Sequence, residues 1–471
     1  MSDQPDRQAP ALDHARRTTK GGRIGRRRTS GSLRGSGRLP NPGGERPRRR
    51  LPRLRLPRTG AFAFLAIVGP GLITASAGND AGGVATYASA GAVFRYNMLW
   101  ALLLTAVSLI VVQEMCARLG AVTGKGLSDL IREQFSLGAT TLAMACLLIA
   151  NTGITVSEFL GLAASAQIVG IPAWIAVPPL TLLLWYLVTQ RSSSMIEKVF
   201  VALSFVFLVY VVAAFKGTNW NMVAHDTVRP NIVWTSTYIS AVVALVGTTI
   251  SPYMQFYVTS AVVEKGISPR TYAFTRADVI SGSLFAIAVA GFIIIATGTA
   301  LCTVHGCPAV NSSISRPQQF AVALKSVAGG SAENLFAIGL FGASMLAAGV
   351  LPLSTAYAIC ETFGLESGTE KSFTQAPIFN SIFTGMIIIS AIIAIIPNLP
   401  IVPVLLNLQV LNALMLPIIL IFIIKLVNNQ ELMGAYRNGR VFNVIAYATI
   451  GILTVLSVLY LAGQIGIGPA A

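Results

Sequence analysis

Eleven apolar segments divide this chain, at about 61–93, 97–117, 138–169, 172–190, 195–215, 235–263, 277–303, 333–362, 378–396, 401–426 and 440–463. Most reach the roughly 20 residues that a helix needs to cross a bilayer, and no strand-type alternation competes with them. Inside a bilayer each segment must satisfy its own backbone N–H and C=O groups, so this pattern folds as a bundle of membrane-spanning helices. The balance of 54% hydrophobic to 11% charged residues excludes an ordinary soluble domain. The expected fold class is therefore an all-α polytopic membrane protein.

Charge is concentrated at one end. Residues 1–60 hold 17 of the 34 Lys/Arg and 4 of the 18 Asp/Glu, and the rest of the chain is nearly neutral. Rich in Arg, Pro, Gly and Ser, this stretch is expected to be a disordered basic tail. A nucleic-acid role is set aside for a simpler one: a cytoplasmic N-terminus held near anionic lipid. With that end inside, the inner loops carry twelve Lys/Arg and the outer loops five, which places the C-terminus outside. The expected address is the cell (plasma) membrane, multi-pass. Residues 61–426 would form a ten-helix transport core, and 427–471 a loop and one additional helix. Cys302 and Cys307 flank a loop expected outside, where a disulfide is one of two open readings. One His and two Cys there are too few for a closed zinc site.

Two segments carry internal breaks. The first holds Gly78-Asn79-Asp80-Ala81-Gly82-Gly83, which sets a carboxylate among glycines in the middle of an apolar run. Burying that charge is costly, so Asp80 marks a functional site by default. The sixth reads Gly247-Thr248-Thr249-Ile250-Ser251-Pro252-Tyr253. Pro252 has no N–H, which frees a carbonyl one turn back. Two broken helices five segments apart match a five-plus-five inverted repeat with an ion site at its interface.

At these residues the chain resembles the NRAMP family of divalent-metal transporters. The likeness covers about residues 61–425 and rests on Gly69-Pro70-Gly71, on Ala117-Arg118-Leu119-Gly120 with Thr123-Gly124-Lys125 and Arg132-Glu133, and on Gln409-Val410 with Leu416-Pro417. It implies a leucine-transporter-type fold, with an eleventh helix added, and alternating access. The departures narrow the function. Where the family has Asp-Pro-Gly-Asn, this chain has Asp80-Ala81-Gly82-Gly83; where it has Met-Pro-His, this chain has Ser251-Pro252-Tyr253. The family's acid pair on the third segment becomes Thr155 and Glu158. This set is similar to the divergent, magnesium-associated branch.

Physically, losing a Met sulfur removes a soft ligand that favours Mn²⁺ or Cd²⁺ over Mg²⁺ and Ca²⁺. The smaller Gly83 and Ser251 widen the cavity wall, to which Tyr253 also belongs, and a wide oxygen-lined site suits Mg²⁺ that keeps part of its water. The expected metal set is Asp80 as charged anchor, the backbone carbonyls of Ala77 and Thr248 (implied by the resemblance), and Asn79, Gln409 and Gln255. Gln255 has a second open reading, in which it faces a neighbouring helix. Glu158 either balances charge and titrates or pairs with a buried polar group.

The expected function is a secondary transporter importing partly hydrated Mg²⁺, and also Mn²⁺, with weak or no proton coupling, since no His lies in an apolar segment. The membrane potential would drive a divalent ion inward by about 4.6 kcal/mol per 100 mV, twice the single-charge value. The alternative is a proton-coupled Mn²⁺/Fe²⁺ transporter. A sodium-coupled amino-acid transporter of the same fold is disfavoured because Asp80 would repel a substrate carboxylate. The absence of a His-Glu-x-x-His pair argues against an enzyme. No cofactor beyond the transported ion is expected, and the oligomeric state is left open.

Overall fold

The computed structural model describes residues 80–190, 205–305, 317–369 and 371–465. The basic tail, Ala77, Asn79, Cys307 and the side chain of Cys302 lie outside the described residues. The described parts of the eleven apolar segments are helical apart from residues near their ends and the break at Ile250-Ser251, and no strand occurs among the described residues. The principal helices are α1 Ala81–Phe94, α2 Leu99–Thr123, α3 Leu127–Gln134, α4 Leu137–Ile168, α5 Ala173–Gln190, α6 Val209–Ala214, α7 Trp220–Val228, α8 Ser236–Thr249, α9 Pro252–Glu264, α10 Tyr272–His305, α11 Ala332–Thr362, α12 Pro377–Ala394, α13 Ile401–Asn428 and α14 Arg440–Gln464. Among the described residues, eight helical spans (α8 and α9 counted as one) are long and apolar enough to cross a membrane.

Local chemistry fixes several boundaries. Ser136, Asn219 and Thr235 each accept a first-turn N–H of the helix that follows, those of Ala139, Met222 and Tyr238. Pro252 and Pro377 stand in the first turn of α9 and α12, where no N–H is needed. At the end of α2, Gly124 takes φ 66°, a left-handed conformation that closes the helix through a bond from its N–H to the Gly120 carbonyl. The sixth segment breaks at Ile250-Ser251 into α8 and α9, where the sequence sets Pro252.

Small residues let the central helices touch backbone to backbone, as helices in lipid commonly do. On α1, Gly91 sits against the Ile294 carbonyl and Thr297 of α10. On α8, Gly247 sits against the Gln409 carbonyl of α13, and a Cβ at either glycine would overlap its neighbour. Beyond the C-terminus of α1, Tyr96 hydrogen-bonds Thr299 of α10 at 2.8 Å, and Trp100 donates to Tyr238 of α8 at 3.0 Å. The α8–α9 span is the most buried, with 89% of its apolar window inside the protein, against 22% for α14. The broken helix is therefore central and α14 peripheral.

Candidate metal-ion site

The first turn of α1 collects two carboxylates. Asp80 caps the helix with extended backbone, and its Oδ1 accepts the Gly83 N–H at 2.6 Å. Glu158 reaches across from the middle of α4, and its Oε2 accepts the Ala81 N–H at 3.4 Å. A helix N-terminus offers unpaired N–H groups and a partial positive charge, which explains why two acids tolerate one place. It offsets only part of their charge. Glu158 is 0% exposed, and beyond that N–H its carboxylate has only the Ser344 hydroxyl as a hydrogen-bonding neighbour.

Four helices meet around that turn. α1 packs on α4, α8 and α13, and α8 packs on α13. Gln409 of α13 lies between α1 and α8, its side-chain amide against Gly82 of α1 and its backbone carbonyl against Gly247 of α8. Ser157 Oγ faces Gly82 as well. Tyr87 of α1 and Thr249 of α8 join hydroxyls at 3.0 Å and hold the two halves in register. Pro252 has no N–H to offer the Thr248 carbonyl four residues before it, so that oxygen lacks its helical donor.

Several buried polar atoms of the region lack partners among the described residues: Ser157 Oγ, Thr248 Oγ1, Ser251 Oγ and Gln409 Nε2. Buried polar groups are nearly always paired, and each orphan costs about 1–3 kcal/mol. Such a concentration fits a group that must exchange partners, as the lining of an ion path does. All but one of these atoms are oxygens, the exception being Gln409 Nε2. Among the described residues, no three His, Cys, Asp or Glu side chains converge as a ready-made metal cluster. Any ion held here would be bound by one or two carboxylates with neutral oxygens, the style of a hard cation.

Of the residues singled out from sequence, Asp80, Gly83, Glu158, Thr248 and Gln409 fall on these converging elements. Ser251 caps the N-terminus of α9 and is 3% exposed. Tyr253 packs with Ile154, Met254 and Leu351, and its ring stands 6.0 Å from that of Tyr257. Gln255 is placed differently. Its Nε2 donates to the Ser251 carbonyl at 3.2 Å and its Oε1 accepts from Cys116 Sγ at 3.5 Å, so the amide is engaged towards α2. This is the neighbouring-helix alternative kept open from sequence, and no described contact joins Gln255 to Asp80. Ser157, Ser344 and Asn412 are additions from the structure. The sequence carried a faint signal for them: Ser157 adjoins Glu158, and Asn412 stands three residues after Gln409.

A second polar cluster lies towards the C-terminal end of α2. Glu114 accepts from Arg118 at 3.0 Å and from the Tyr272 hydroxyl at 2.6 Å, with Arg276 at 3.8 Å. Arg118 also donates to the Tyr436 carbonyl and to Asn438, which ties α2 to the segment before α14. Beside these, Lys125 and Glu133 form an exposed pair at 2.6 Å.

Fold and site together define a multi-pass helical membrane protein with a polar centre where the start of α1 meets the broken helix α8–α9. A model of the family described as "Natural resistance-associated macrophage protein-like" (Nramp) matches residues 71–463, and the chain belongs to that family. The Divalent metal cation transporter MntH of Pectobacterium carotovorum subsp. carotovorum (strain PC1) is 25% identical over 393 residues, 81% of this chain and 90% of that protein. Among solved structures, the Eremococcus coleocola manganese transporter matches with a TM-score of 0.68 at 23% identity, over 88% of this chain and 90% of that one. A nucleobase-cation-symport-1 family transporter in a closed conformation matches with a TM-score of 0.50 at 14% identity, over 85% and 89%. These likenesses establish the leucine-transporter-type fold.

Proposed function

We propose that this chain carries divalent metal cations across the cell membrane by alternating access, with partly hydrated Mg²⁺ as its main substrate and Mn²⁺ also accepted. The observation that carries this reading is the oxygen-rich set of unpartnered polar atoms around Asp80 and Glu158. Mg²⁺ dehydrates reluctantly and is held through one or two carboxylates with waters retained. Asp80 supplies the fixed charge and Glu158 balances the second. The freed Thr248 carbonyl, the Gln409 amide and, from residues before α1, the Ala77 carbonyl and Asn79 side chain complete the set. Ser251 in place of a thioether leaves no soft atom to favour Mn²⁺ or Cd²⁺. Relatives bearing the names divalent metal cation transporter and manganese transporter support the cation class.

Proton coupling is weak in this reading, because Thr155 and Tyr253 occupy places where the family has an acid and an imidazole. The N-terminus faces the cytoplasm, and an inside-negative potential drives uptake. The second reading is proton-coupled Mn²⁺ transport, favoured by the buried Glu158. Purified protein in liposomes with an inside-negative potential separates the two. The proposal expects Mg²⁺ entry, competition by Mn²⁺, and little acidification of the lumen. Acidification in step with ion entry, together with preference for Mn²⁺ over Mg²⁺, would establish the second reading instead.

A further inference from the structure

Gln409 does not act alone on α13. Asn412, three residues on and on the same helical face, donates its Nδ2 to Gln409 Oε1 at 3.1 Å. Both side chains are 0% exposed. The remaining end of each amide, Gln409 Nε2 and Asn412 Oδ1, is buried with no partner among the described residues. Gln409 Nε2 is the end that lies against Gly82, in the first turn of α1.

An amide pair with one shared bond and two orphaned ends has a specific property. Turning both amides by 180° exchanges N for O at every position and keeps one N–H···O bond between them, now from Gln409 Nε2 to Asn412 Oδ1. The turn is nearly isosteric, since NH₂ and O differ little in size. Before it, Gln409 presents a donor towards the α1 turn, suited to the Asp80 and Glu158 carboxylates or the Ser157 hydroxyl. After it, Gln409 presents a carbonyl oxygen, suited to a cation. Neither arrangement leaves Gln409 unsupported, because Asn412 can both donate and accept.

We propose that Asn412 is a positioning residue for Gln409: the two amides turn together, so that Gln409 offers N–H to the empty site and oxygen to the loaded one. This rests on Gln409 belonging to the metal site. Groups that orient a metal ligand typically contribute 10–100-fold to affinity. A residue that can only donate, or only accept, would fix Gln409 in one orientation.

A double-mutant cycle on the purified full chain in detergent tests this, with Mn²⁺ and Mg²⁺ binding measured by calorimetry and thermal unfolding followed in parallel. Asn412→Leu is isosteric and is expected to weaken binding about 10–100-fold, with Gln409→Leu doing the same. The double variant should be no weaker than the worse single one, because Asn412 acts through Gln409. Asn412→Asp keeps the volume and an acceptor, holds the Gln409 oxygen towards the site, and should bind at least as tightly as the parent; it keeps the test alive if the leucine variant unfolds. Multiplying effects, unchanged binding in Asn412→Leu, or loss of binding in Asn412→Asp would overturn the proposal. If Asp80→Asn abolishes binding while Gln409→Leu leaves it intact, the site reading stands and the amide proposal falls. If neither changes binding, both fall.

Discussion

Two buried acids, one on α2 and one on α4, have opposite surroundings. Glu114 on α2 has both oxygens engaged, by Arg118, Tyr272 and Arg276, and its cluster reaches on to Asn438. Glu158 on α4 has a backbone N–H at 3.4 Å and the Ser344 hydroxyl, and no cation, against it among the described residues. Each is almost wholly removed from solvent, at 3% and 0% exposure. An acid surrounded by cations and donors is a fastener. Under the proposed function, an acid beside a second carboxylate and several unpartnered polar atoms is one left open for a cation that comes and goes. The difference separates structure from transport in a chain where burial alone cannot.

The comparison breaks most readily at the charges themselves. Glu114→Gln removes the counter-charge of the buried Arg118 and should destabilise the protein by about 3 kcal/mol, as breaking one side of a buried pair commonly does. Ion affinity in the surviving folded protein should stay unchanged, which calorimetry on the same sample would show. Glu158→Gln should do the reverse. It keeps an acceptor for the Ala81 N–H, so it should cost about 1 kcal/mol or less, while altering Mg²⁺ and Mn²⁺ flux in liposomes. A large stability loss at Glu158 with normal flux would merge the two acids into one structural class.

Smaller effects sharpen the picture. Gly247→Ala would drive a methyl into the Gln409 carbonyl and should cost about 1–3 kcal/mol by overpacking, read as a lowered unfolding temperature. Ser251→Met restores a soft atom beside the break and should shift competition towards Cd²⁺ and Mn²⁺ by about tenfold, equal to about 1.4 kcal/mol. The smallest effect belongs to Lys125→Gln, whose exposed pair with Glu133 should contribute under about 1 kcal/mol.

The fold was legible because lipid permits few solutions. Apolar runs gave the helices, and Pro252 gave the break within the sixth. The run at 97–117 ended too early, since α2 continues to Thr123. Hydropathy registers the burden of Arg118 near that end but not the distant partners that, with Glu114, relieve it, which come from positions 436 and 438. Gln255 shows the same limit: a buried amide reads as a ligand until Cys116 and the Ser251 carbonyl are seen to occupy it. Asp80, Glu158 and Gln409 stood out because an acid or amide in an apolar segment has few explanations. Ser157, Ser344 and Asn412 did not, because hydroxyls and amides inside helices usually bond locally, and only the packed structure reveals which do otherwise.

The account turns on Asp80 as the charge that holds the ion. Asp80→Asn keeps the shape and the cap on Gly83 while removing the charge, so folding should be preserved. In liposomes with an inside-negative potential, Mg²⁺ and Mn²⁺ entry should fall at least 100-fold, to the level of protein-free vesicles. Undiminished entry of either ion through Asp80→Asn would contradict the account.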